Sequence, residues 1–304
     1  MELNEIQAID TMCRVFYCIP RDMDLAKYPE WQAVIDGTFR TVSRKMGLKR
    51  EDVGKMFASM GKGSVEAMFE EMDEVGVEYV FMDNTKIWSR QRHEVMGGDR
   101  GSELLYELVK RGNGRIIGGA GYNPLHIKES VEEVEKSVRE YGFKYVWFHP
   151  TSFGLRPDDK KCYPLYIKCL ELGIPVCFQT GQSAEPLPSE PGHPMYADEV
   201  AMDFPDLTIV LTHTGWPWVT EWMSMLWRHP NVYGNVGAYM PKFLDPALIR
   251  FMDKEIQYKV MWATNGMGLK RCKQEFLELP ISDETRQRVL RENAIEVFKL
   301  PTKE

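Results

Sequence analysis

The chain has 304 residues, 43% hydrophobic and 27% charged, a balance that excludes a disordered or fibrous polymer and lets it bury a large core without covalent staples. Thirty-eight Lys and Arg against forty-five Asp and Glu leave a net charge of −7, which argues against nucleic acid or an anionic membrane as main partner. No apolar run approaches the roughly 20 residues of a membrane span, and residues 1–10 lack a basic-then-apolar leader, so a soluble, cytoplasmic protein is expected.

Short apolar runs of strand type alternate with longer helical stretches along the chain. Strands are predicted at 6–10, 79–82, 116–119, 145–148, 176–179, 208–211, 232–234 and 260–263. Helices are predicted at 64–75, 102–110, 127–141, 160–172, 196–204, 216–227 and 246–254, with a C-terminal pair at 282–291 and 293–300. The first of these opens on Ser64 and keeps Val65, Met68, Phe69 and Met72 on one face; others stop at Gly142, Gly173 and before Pro205. Eight strands in such βα units fit one (β/α)₈ barrel, a TIM barrel, spanning 1–304 as a single domain. An open doubly wound sheet would show a glycine-rich turn after its first strand, and Asp10-Thr11-Met12-Cys13-Arg14 has none.

One stretch breaks the rhythm. Residues 14–63 separate the first strand from its helix, about 50 residues where a few suffice. Two helix-like pieces, 31–45 and 49–60, are joined at Gly47, and the insertion reads as a lid, a dimerisation arm or a surface elaboration. The cysteines (Cys13, Cys18, Cys162, Cys169, Cys177, Cys272) form no CxxC pair and read as reduced packing thiols.

A barrel carries its chemistry at the C-terminal strand ends. That rule selects Asp10, Met12 and Arg14 from the first strand, His149 from the fourth, Gln179 from the fifth, His213 from the sixth and Asn265 from the eighth. Each could instead cap a helix or satisfy backbone. His213, which ends one apolar run and begins His213-Thr214-Gly215-Trp216-Pro217-Trp218, is the leading acid–base candidate, because imidazole takes and gives a proton near neutrality. His149, in Phe148-His149-Pro150, comes next, and His193 lines the mouth or is solvated. Trp88, Trp147, Phe178, Trp216, Trp218 and Trp262 near strand ends suggest a ring-bearing ligand or rim packing.

The segments Asp203-Phe204-Pro205-Asp206-Leu207, His213 to Trp218, His229-Pro230-Asn231-Val232-Tyr233 and the closing Asn293-Ala294 resemble, in order and spacing, the amidohydrolase-related branch of the amidohydrolase superfamily. That branch includes aminocarboxymuconate-semialdehyde and resorcylate decarboxylases and various hydrolases. The resemblance implies a (β/α)₈ barrel, a homodimer or higher homo-oligomer, and a divalent metal held by a first-strand Asp-x-His-x-His, a fifth-strand histidine and an eighth-strand aspartate. Here the corresponding positions read Met12, Arg14, Gln179 and Asn265; only the sixth-strand histidine survives, as His213. A thioether, two amides and a guanidinium offer a divalent ion neither charge nor imidazole, so no metal and no other cofactor is expected.

Arg14 is suited to grip a carboxylate or enolate with paired hydrogen bonds but not to acidify water. The constellation therefore points to metal-independent C–C cleavage (decarboxylation, retro-aldol or retro-Claisen) of a cyclic or aromatic acid or its thioester, with His213 and His149 as acid–base candidates. Asp10, Met12, Gln179, Trp216 and Asn265 are then the substrate-binding candidates. Arg40, Arg44, Lys45, Lys49 and Arg50 of the insertion either meet the phosphates of a coenzyme A thioester or form a solvated face. A metal-free hydrolase using His213 on water, and a binding homologue without catalysis, remain as alternatives.

Overall fold

The computed structural model describes residues 3–18, 27–41, 47, 49–58, 61–99 and 101–302. Eight parallel strands form one curled sheet in sequential order: β1 (Ala8–Asp10), β2 (Val77–Asp83), β3 (Ile116–Gly121), β4 (Tyr145–Phe148), β5 (Val176–Gln179), β6 (Ile209–Thr212), β7 (Val232–Asn235) and β8 (Val260–Met261). The insertion supplies α1 (Pro29–Thr41) and α2 (Arg50–Ala58). One helix then follows each strand: α3 (Val65–Val75), α4 (Glu103–Arg111), α5 (Ile127–Arg139), α6 (Tyr163–Leu172), α7 (Ala197–Asp203), α8 (Val219–Arg228), α9 (Pro246–Lys254) and α10 (Leu269–Leu277). The fold is a TIM barrel.

Strand alternation builds two apolar layers. Ile9, Phe81, Tyr145, Trp147, Cys177, Val210 and Met261 fill the barrel interior. Val80, Val146, Phe148, Phe178, Leu211 and Trp262 face the helices instead. Phe178 and Trp262 therefore cannot serve a ligand in the barrel mouth. A Cβ on Gly119 would stand 2.3 Å from the Tyr145 ring, so this position of β3 must be glycine for Tyr145 to occupy the interior. The last helices, α11 (Asp283–Gln287) and α12 (Asn293–Phe298), end the chain, and Phe298 packs 4.6 Å from Phe81 to close the N-terminal end.

β8 is short for a physical reason. The Trp262 N–H leaves the sheet to reach Val289 O at 2.8 Å, and β1 meets β8 through scattered bonds: Thr11 N to Trp262 O at 3.2 Å and Asn265 N to Met12 O at 2.7 Å. The Asp10 carboxylate completes this closure.

The sequence reading omits α10 because its buried face, Leu269, Cys272, Lys273 and Phe276, contains a lysine. Lys273 Nζ donates to the carbonyls of Val75 and Gly76, at 2.5 and 3.1 Å, and to that of Ile6, sealing the end of α3. It also omits a hairpin, Trp88–Ser89 with Glu94–Val95, onto which the insertion docks. Buried Glu30 of α1 accepts from Ser89 Oγ at 3.0 Å and Gln91 N at 3.3 Å, and the Tyr28 hydroxyl accepts from Gly97 N at 2.9 Å. Of the insertion's basic residues, Arg50 is committed to Asp36 and to Gln32 Oε1 at 2.6 Å; Arg44, Lys45 and the ends of both predicted pieces lie outside the described residues.

Candidate active site

The C-terminal ends of β1, β2, β4, β6 and β8 converge on Arg14. Its Nε donates to Asn265 Oδ1 at 2.7 Å, and Nη1 to Asp83 Oδ1 at 3.2 Å and Thr85 Oγ1 at 2.9 Å. The guanidinium lies over the Trp147 ring, Cζ 4.3 Å from its centroid. Among the described residues Nη2 has no protein partner, so one edge of the fork is free for an acid. Asp83 also accepts from the Tyr145 hydroxyl at 3.4 Å and is almost fully buried.

Arg14, His213 and Asn265 all have positive φ (84°, 71° and 54°), a region non-glycine residues enter only when the surroundings over-determine them. Of these, Arg14 is the residue type least expected there, and its backbone carries the guanidinium into the strand-end cluster.

The two histidines beside Trp147, with ring centroids 5.5 Å (His149) and 6.3 Å (His213) from it, are differently wired. His149 Nδ1 faces the Ser152 backbone N–H at 3.2 Å and Thr151 Oγ1 at 2.9 Å. A backbone N–H can only donate, so Nδ1 is the acceptor and the proton sits on Nε2. His213 Nδ1 lies 3.1 Å from Thr212 Oγ1, a hydroxyl that also reaches Phe178 O at 3.2 Å. With that hydrogen on Phe178 O the hydroxyl accepts from His213 Nδ1–H and Nε2 is the bare base, the tautomer used below. Burial, reinforced by the Arg14 charge, pushes His149 down to about 3 and holds His213 well below the usual histidine range. Both imidazoles are neutral at pH 7.

Asp10, expected to bind substrate, has its carboxylate bonded within the fold. It is fully buried, accepts from Thr264 N at 2.9 Å, Thr264 Oγ1 at 2.5 Å and Met12 N at 3.1 Å, and is raised to about 6 by that burial. Its carboxylate ties β1 to β8. Met12 sits in the interior layer as the floor of the site. Gln179 is buried beside Thr180, donating to its carbonyl at 3.1 Å, while Trp216 is half exposed on the rim. His193 accepts from Met195 N at 3.3 Å and packs on Trp218, away from the Arg14 cluster's bonds. Asp83 is the residue that the sequence reading misses. It obeys the same strand-end rule, but the predicted second strand stops at Met82, one residue short.

The sequence model for the amidohydrolase family matches residues 50–300. This chain belongs to the amidohydrolase family. No curated protein matches it. Among solved structures, this amidohydrolase superposes on an uncharacterised TIM-barrel protein from Bordetella bronchiseptica at 23% identity (TM-score 0.72, 97% of this chain and 99% of that one). A 2,6-dihydroxybenzoate decarboxylase from Rhizobium aligns at 15% identity (TM-score 0.67, 97% and 98%). A dihydroxybenzoic acid decarboxylase from Polaromonas with bound manganese and 2-nitroresorcinol aligns at 14% (TM-score 0.66, 97% and 97%).

The residues of this amidohydrolase do not fit such a metal. Among the described residues no three His, Cys, Asp or Glu side chains come together as ligands, and the Arg14 guanidinium sits between Asp83 and Asn265. A fixed cation there repels a second one.

Proposed function

We propose that this amidohydrolase is a metal-independent carbon–carbon lyase that decarboxylates a hydroxylated aryl or cyclic carboxylic acid. The observation that carries the reading is the opposed wiring of two neutral histidines beside an arginine with one free edge: a base at His213 Nε2, a donor at His149 Nε2, and a fixed positive charge at Arg14. Similarity of fold to decarboxylases of dihydroxybenzoates supports the aromatic acid as substrate class.

In this reaction the bound carboxylate offsets the Arg14 charge that helps hold His213 low, and His213 Nε2 then takes the proton of the ring hydroxyl and becomes imidazolium. The imidazolium gives that proton to the ring carbon bearing the carboxylate, forming a ring ketone. The bond to the carboxyl carbon then breaks, its electron pair restores the aromatic ring, and CO₂ leaves. A solvent proton returns to the ring oxygen, so the net change is ArCO₂⁻ + H⁺ → ArH + CO₂. Arg14 Nη2 and His149 Nε2–H stabilise negative charge on the substrate oxygens. The same groups serve retro-aldol or retro-Claisen cleavage, in which the base starts from a β-hydroxyl or from water.

The test is turnover on hydroxybenzoates, β-hydroxyacyl thioesters and aryl esters, with elemental analysis of the same preparation. CO₂ release without stoichiometric metal is the expected result. Ester hydrolysis alone would replace the lyase with a hydrolase, and no turnover on any of them would indicate a binding homologue. About one zinc, manganese or iron per chain, removed with loss of activity, would overturn metal independence.

A further inference from the structure

Trp147 presents a buried hydrogen-bond donor that nothing in the protein satisfies. Its side chain is almost fully buried, and among the described residues its Nε1 has no acceptor. A buried N–H left unpaired is costly, so such groups meet water or a ligand. Trp262 Nε1 is also unpaired, but that ring lies between sheet and helices, on the side away from the strand-end cluster. Trp147 belongs to the barrel interior, at the mouth end of β4, with Arg14 stacked on its face and both imidazoles beside it.

We propose that Trp147 Nε1–H donates to an oxygen of the bound acid, making the indole a substrate-binding group as well as the platform for Arg14. The inference rests on the aromatic-acid reading above and deepens it. One acceptor region then meets Trp147 Nε1–H, Arg14 Nη2 and His149 Nε2–H, a donor set that suits an anion and leaves His213 as the base. An uncharged phenol would satisfy these donors less well than an aryl carboxylate.

The experiment uses protein labelled with ¹⁵N at its eight indoles and three probes: salicylate, benzoate and phenol. The Trp147 resonance is the one missing from Trp147→Phe, or from Trp147→Tyr should the first variant not fold. Salicylate and benzoate should move that resonance downfield in the wild-type protein while the other indoles stay nearly still, and phenol should move it least. In the variant, salicylate should bind roughly 10- to 100-fold more weakly, the range for a hydrogen bond to a charged group. If salicylate binds and the resonance does not move, the N–H serves an internal water and this inference fails, while the lyase reading stands. Weaker binding by the variant without a wild-type shift reports only lost stacking under Arg14, and equally overturns the donor role. If no hydroxylated aryl carboxylate binds at all, both readings fall.

Discussion

The turns after β4 and β6 each begin with a buried, neutral histidine, yet they prepare it for opposite tasks. After β4 the chain goes straight into Pro150–Phe153, whose first turn aims the Ser152 N–H at His149 Nδ1. After β6 the backbone turns left-handed through His213 and Thr214, and the contact to His213 Nδ1 is a threonine hydroxyl that also reaches Phe178 O. One ring exposes a donor and the other a lone pair. The lesson is that the single partner at Nδ1, a backbone amide for one ring and a hydroxyl for the other, rather than burial or pKa, decides which half of acid–base chemistry a histidine can start.

The sharpest way to break this comparison is glutamine. A glutamine amide can donate but cannot act as a base. His149→Gln should therefore retain activity within about tenfold, whereas His149→Ala should lose roughly 10²-fold, as when an oxyanion donor is removed. His213→Gln should fall as far as His213→Ala, roughly 10² to 10⁴ in turnover. Equal losses for the two glutamine variants would show that the wiring does not separate the roles.

Arg14 is shared by both histidines, and its removal should cost at least 10² in turnover. Arg14→Met also strands the buried Asp83 carboxylate, which adds a loss of about 3–5 kcal/mol in stability. Arg14→Met with Asp83→Asn should recover the melting temperature but not turnover, separating charge placement from folding. Arg14→Lys keeps the charge and loses the planar fork, so it too should be poorly active. With His213→Ala, Arg14→Met should be non-additive, since both act on one transition state. Full recovery of turnover in the Arg14→Met, Asp83→Asn pair would remove Arg14 from the mechanism.

A milder pair of changes sharpens the assignment. Thr212→Val takes away the oxygen that holds the His213 proton on Nδ1, and turnover should drop about tenfold, the worth of one hydrogen bond. Thr151→Val leaves the Ser152 N–H on His149 and should change turnover less than threefold.

The barrel was legible because alternating apolar strands and helices have few other packings. Much of the site was legible too, since polar residues at strand ends point to the mouth. The misreadings follow from strand parity and from context. In β5 an inward Cys177 and Gln179 force Phe178 outward, a pattern visible in sequence once the strand is in register. Asp83 needed one more residue of β2. The Asp10 contacts were not legible because its partner Thr264 lies at the far end of the chain, and α10 was hidden because Lys273 is buried by three carbonyls supplied by other segments. The histidine tautomers depend on single hydroxyl and amide contacts, which no periodicity encodes.

The smallest predicted effect lies in the acid limb of stability. His149 and His213 are held neutral in the fold, whereas in the unfolded chain both protonate below about 6.5. Their contribution is intact above pH 6.5 and is lost as pH falls, approaching about 2.7 kcal/mol per pH unit for two protons. Asp10 opposes them. Its native carboxyl protonates near 6, above its unfolded value of 3.8, so its contribution appears as pH drops through 6 and is lost as pH rises through it. Below about pH 6 the proton taken up by Asp10 offsets one of those lost to the histidines, so the net slope is shallower than the histidines alone would give. His149→Gln should flatten this limb by one proton relative to wild type, while Asp10→Asn should steepen it by one. Denaturant melts from pH 7 to 4, compared pairwise so that surface carboxylates cancel, measure both slopes. If His149→Gln and wild type run parallel, His149 is already charged in the fold, and a charged ring cannot accept the Ser152 N–H on which its role as donor depends.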